Sequence, residues 1–205
     1  MMTPALSGAS NDIATYLINS YQNPRGVHAE TVIAAAAALA GEFALRGVEP
    51  ALPERGWVAS VRASSLIFGN PAKDEPGLWY LLRYGALKAG AQEAELPQPA
   101  EVWTRVTGAV GGAPFPPLSV PERHYPHEWS PSACPRLRGG IEAIARTHGL
   151  HGADTAKAMT LAIVLLFQQT NEALPPAIAA TLALEVMVGV AHMVPMTMAD
   201  AEAYA

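Results

Sequence analysis

Glu185 and His192 lie seven residues apart in the stretch 181–194, which is otherwise almost wholly apolar. Seven residues is nearly two helical turns, so both side chains fall on one stripe, with Gly189 about one turn from each. A carboxylate among apolar side chains is costly unless it is paired, and burial drives its pKa upward. Such a pair could hold a small polar ligand or move a proton. The competing reading is structural, with Glu185 pairing across a helix or subunit contact. Gln168 closes the apolar helix that precedes this stretch. Its amide could line a pocket mouth or satisfy carbonyls at the helix end. Glu185, His192 and Gln168 are therefore the candidate ligand-binding residues.

A second group, His124-Tyr-Pro-His127-Glu128 with Cys134 nearby, contains the ligand types of a zinc or iron site. Pro126 between the histidines forbids a helical ligand pair, so the metal candidates His124, His127 and Glu128 would have to act from a loop. The competing reading is a polar, aromatic-rich loop whose histidines bond backbone carbonyls. His148 and His151 straddle a helix C-terminus, where a histidinium interacts favourably with the negative end of the dipole. Gly111-Gly112 lacks the strand and helix that frame a nucleotide loop, and no serine sits in a nucleophile elbow. No catalytic residue and no cofactor are assigned.

Helices must position these residues. Ser10 or Asn11 can cap a first helix that the Asn23-Pro24-Arg25-Gly26 turn ends. A longer helix over 28–46 has a run of alanines at its centre, whose small side chains let a neighbour approach closely. Trp57, Ala59 and Val61 alternate with Val58, Ser60 and Arg62 before Leu66-Ile67-Phe68, which predicts a small β-hairpin near residues 57–69. Asp74-Glu75-Pro76 opens the next helix, and Pro99 another. Seven prolines between 108 and 135 predict a long loop, ordered because Phe115, Tyr125 and Trp129 have area to bury. Helices over 137–148, 154–170 and 177–194 complete the chain. The segment 154–170 is apolar almost all round, which marks a central buried helix, and the short link after it makes the last two helices antiparallel neighbours.

Three stretches carry a resemblance: RGVHAETVIAAAAALAG, LIFGN, and FQQTNEALPPAIAATLALEVMVGVAHMVPM. Their order is similar to that in an uncharacterised family of bacterial helical proteins. The resemblance implies a helical fold and a bacterial cytoplasmic origin. It carries no activity and no residue role.

Composition bounds the rest. The chain has 205 residues, enough for a single domain. Only 15% are charged, against about 25% in an average globular protein. So few charges imply either a neutral surface or one partly covered by a partner. A net charge of −5 argues against nucleic acid as a partner. The apolar run 158–167 is too short to span a bilayer, and one cysteine permits no internal disulfide, so a reducing cytoplasmic setting is expected. The expected fold is mainly all-α: one domain over 1–205, six or seven helices around a buried central helix, and one small hairpin. The expected function is that of a non-enzymatic, self-associating interaction protein, most simply a two-fold homodimer. The alternative is a small-molecule binder or enzyme with a pocket among the C-terminal helices.

Overall fold

The computed structural model describes residues 3–54, 56–70, 75–108 and 118–203. Among them the fold is mainly α-helical, with a single two-stranded hairpin. The helices are α1 (Pro4–Tyr21), α2 (Ala29–Val48), α3 (Val61–Phe68), α4 (Leu78–Lys88), α5 (Pro99–Gly108), α6 (Ala133–Thr147), α7 (Ala153–Thr170), α8 (Pro176–Val190) and α9 (Met198–Glu202). Four of them, α1, α2, α3 and α9, begin with a side chain that accepts from a first-turn amide. The Thr3 hydroxyl accepts from Leu6 N–H before α1, and Thr197 and Asp200 cap α9 reciprocally. Pro4 and Pro176 lie in the first turns of α1 and α8, where the missing N–H costs nothing.

The central helix is α2, not 154–170 as the apolar pattern suggested. All of its side chains from Ala29 to Leu45 are buried. It is long and apolar enough to cross a membrane by length and composition, but here it is enclosed by the other helices. α7 and α8 pack on it extensively and touch each other only slightly, so α2 is wedged between the two helices expected to be direct neighbours. The alanines explain the arrangement. Each buried methyl contributes only about 0.8 kcal/mol, but the absence of bulk lets two helices close on the same one. Gly41 marks the tightest point: a Cβ there would lie 2.3 Å from the Met187 carbonyl oxygen of α8. α1 then covers α7, α4 bridges α7 and α8, and α5 lies across α8.

Two local expectations are corrected. Residues 61–68 form α3 rather than a strand, because the Ser60 hydroxyl accepts from Ala63 N–H and starts a helix. The hairpin lies just beyond, pairing Gly69–Asn70 (β1) with Glu75–Pro76 (β2) antiparallel. The alternation at Trp57 has a different partner: Trp57 bridges Met193, and Val58 N–H donates to the His192 carbonyl at 2.8 Å. The proline-rich segment is also shorter than 108–135. α6 begins at Ala133 and takes Pro135 into its first turn. Residues 109–117, with Gly111, Gly112 and Phe115, lie outside the described residues.

Candidate functional site

A cleft of about 400 Å³ opens between α3 and α5, within the size range of small-molecule sites. Val61, Ser64, Ser65 and Phe68 line one wall; Pro99, Ala100, Trp103 and Thr104 line the other. Phe68 meets Trp103 edge-on at 5.9 Å, and Trp103 in turn meets the buried ring of His192 at 5.2 Å. The cleft is thus mostly aromatic and aliphatic; Ser65 and Thr104 add hydroxyls to its lining, and one buried polar feature lies behind Ser64.

That feature is built by local geometry. His192 follows the end of α8, and its Nδ1 lies 2.7 Å from the Val188 carbonyl, which can only accept. Nδ1 therefore carries the hydrogen, and Nε2 of the neutral ring is an acceptor. Burial lowers the His192 pKa from its ordinary value, while the bond to Val188 works against that shift. The Ser64 hydroxyl sits 3.3 Å from Nε2 and 2.7 Å from the Ser60 carbonyl. One hydroxyl proton thus faces two acceptors. A ligand hydroxyl or amide that donated to Ser64 Oγ would complete a chain from ligand to Ser64 to His192 to Val188.

The same pair has parts of a nucleophile and its base. However, the Ser64 N–H is already committed to the Ser60 carbonyl at 3.1 Å and cannot stabilise an oxyanion. Recognition fits this geometry better than acyl transfer.

Glu185 is buried at 1% exposure, as its neighbours on the sequence require. It does not meet His192. Arg105 of α5 and the Ser119 hydroxyl bond Oε1, and Ser119 N–H donates to Oε2 at 2.9 Å. Glu185 therefore fastens α5 and the segment after 117 onto α8. It supports the cleft wall without entering the cleft. Gln168 is exposed in the last turn of α7 and does not line the cleft.

The metal candidates lie on one segment, but each is engaged by other partners. Glu128 accepts from Tyr21 and from Arg136 (2.9 Å to Oε2). Burial, reinforced by Glu128, holds the Tyr21 phenol far above its ordinary pKa. His124 Nδ1 lies 2.8 Å from Glu30 Oε1. His127 stacks on His28 at 3.5 Å, and its N–H donates to the Thr31 hydroxyl at 2.9 Å. Among the described residues no three His, Cys, Asp or Glu converge as metal ligands. Cys134 is buried, and burial raises its thiol pKa well above the ordinary value. The histidines instead clasp the segment to the start of α2. His28 Nδ1 accepts from Thr31 N–H and so carries no hydrogen, which makes the Thr31 hydroxyl the donor in its 2.8 Å contact with the same nitrogen. Burial lowers the His28 pKa; Glu30 opposes that shift and His127 adds to it. For Glu30, burial acts upward, but the hydrogen bond from His124 and the adjacent groups hold its pKa below the ordinary value.

Sequence reasoning located His192 but missed Ser64 and Trp103. Ser64 and His192 are 128 residues apart in the chain, and no local spacing joins them. It also missed Glu42, buried on α2 and held by a two-point bond from Arg138. Comparison of the chain with protein families, with curated proteins and with solved structures finds no match.

Proposed function

We propose that this chain binds a small, largely apolar molecule carrying a hydrogen-bond donor, in the cleft between α3 and α5. The observation that carries the reading is the polar chain Ser64–His192–Val188 set against the Phe68 and Trp103 walls. It follows a common division of labour in ligand sites, where an apolar lining gives affinity and a few placed polar groups give orientation. The test is a fragment screen against the whole protein, read by thermal shift and by quenching of Trp103, with Trp103→Phe as the optical control. Hits should be enriched in hydroxyl and amide donors, and Ser64→Ala should weaken them. Hits that ignore Ser64→Ala and leave Trp103 undisturbed would overturn the assignment.

Self-association is a second reading, favoured by one surface feature. Tyr80 and Tyr84 stand one turn apart on α4, each about half exposed. Exposed tyrosines in such a pair suit a contact between copies. Light scattering at micromolar concentration distinguishes a dimer from the 21.5 kDa monomer, and Tyr80→Ser with Tyr84→Ser should dissociate the dimer.

A further inference from the structure

A separate cleft of about 390 Å³ lies where the end of α2, the end of α6 and the start of α7 meet. Gly47 makes the junction possible: a Cβ there would fall 2.6 Å from Ala153 N, so the end of α2 abuts the first turn of α7. This brings Arg46, Arg146, His151 and Thr155 around one opening, with Glu142 in the same lining.

The charges do not cancel. Arg46 bonds Glu142 at 2.8 Å and reaches buried Glu42 at 3.4 Å, while Glu42 is already neutralised by Arg138. Three arginines against two glutamates leave one positive charge, and Arg146 has no ion-pair or hydrogen-bond partner among the described residues. The C-terminal ends of α2 and α6 oppose an anion, but several of their last carbonyls are already bonded. His148 and Leu150 N–H groups take up the Ala145 carbonyl, Gly149 N–H takes that of Arg146, and Glu49 N–H takes that of Leu45. The start of α7 adds its positive dipole end, although Asp154 and Thr155 N–H groups already bond His151 and Gly152.

Thr155 supplies the decisive observation. The residue is only 4% exposed, yet its hydroxyl has no hydrogen-bond partner among the described residues. Every fully enclosed side-chain nitrogen or oxygen there does have one. The Thr155 hydroxyl therefore opens onto the cleft that it lines. A donor recessed in a cleft beside an unpaired guanidinium is suited to an oxygen anion.

We propose that this second cleft binds a small oxyanion, a phosphate or carboxylate group, with Arg146 and Arg46 meeting its charge and Thr155 donating a hydrogen bond. The inference is independent of the α3–α5 cleft. The experiment is titration of the full chain with inorganic phosphate and, separately, with acetate, followed by calorimetry and amide NMR in a buffer free of competing anions. Saturable binding is expected, with amide shifts centred on residues 146–156. Arg146→Gln should weaken binding about tenfold, the effect of losing one charge-assisted hydrogen bond. The near-isosteric Thr155→Val should weaken it severalfold, and His192→Gln should leave it unchanged. Tighter binding of phosphate than acetate assigns a phosphate ligand, and the reverse assigns a carboxylate; either supports the site. No saturable change with either ion, or equal binding by wild type, Arg146→Gln and Thr155→Val, overturns it.

Discussion

Replacing Glu185 by Gln tests how the wall of the α3–α5 cleft is held. The substitution preserves shape and removes charge. In the native protein the carboxylate accepts from Arg105, from the Ser119 hydroxyl and from Ser119 N–H. An amide has only one oxygen. Whichever way it is turned, its NH₂ group must face either Ser119 N–H or the Arg105 guanidinium, donor against donor. The loss is one charge-assisted hydrogen bond, about 1.5–3 kcal/mol, together with partial desolvation of the donor left facing it. Arg105 is about one-third exposed and can turn to water, which keeps the total below the 3–5 kcal/mol of a fully buried broken pair. An expected cost of about 2–3 kcal/mol corresponds to a fall in Tm of about 4–12 °C for a chain of this size. Scanning calorimetry reads the shift, and a double-mutant cycle with Arg105→Gln should give a coupling above about 0.5 kcal/mol. A Tm within a degree of wild type, or no coupling, would show that the pair does not hold α5 to α8.

Gly41→Ala should destabilise the protein by at least the 1–3 kcal/mol typical of overpacking, because the new methyl meets backbone rather than a side chain that can move; chemical denaturation checks it. Stability should fall as pH drops below about 6.5. His28 and His192 both have folded pKa values lowered by burial, so the unfolded chain binds more protons there, and the stability present above the unfolded pKa is lost as pH falls through the folded values. Thermal scans between pH 5 and 8 in which His28→Asn and His192→Asn leave the slope unchanged would refute this origin. Cys134 should resist thiol reagents in the native state and react on unfolding, since it is buried with a raised pKa; rapid native labelling would contradict its placement.

Much of the fold was legible where periodicity and caps agree. The α1, α6, α7 and α8 segments follow from apolar spacing bounded by proline, glycine and threonine. The error at 57–69 is instructive. Alternation over five residues resembles a strand, but Ser60 at the N-cap position outweighs it and β-branched Val61 begins a helix. The central role of α2 was hidden for a different reason. An alanine-rich helix has no strong stripe, and how deeply it is buried depends on what closes around it rather than on its own residues. The same applies to the sites. Burial of Glu185 follows from its apolar neighbours, but its partners Arg105 and Ser119 come from distant segments. His124 and His127 stood as metal candidates beside a structural reading because residue type is visible in sequence and direction is not; their rings turn to Glu30 and His28.

The most direct test of the α3–α5 cleft follows the His192 ring by NMR during titration with p-cresol and p-xylene, which differ only in a hydroxyl against a methyl. The hydroxyl should donate to Ser64 Oγ and polarise the Ser64 hydroxyl, which lies 3.3 Å from His192 Nε2. The account therefore expects saturable movement of the His192 Nε2 and Cε1 resonances with p-cresol, clearly tighter binding than p-xylene, and loss of that difference in Ser64→Ala. Equal affinity for the two compounds in wild type, or binding that leaves the His192 ring unperturbed, would contradict it.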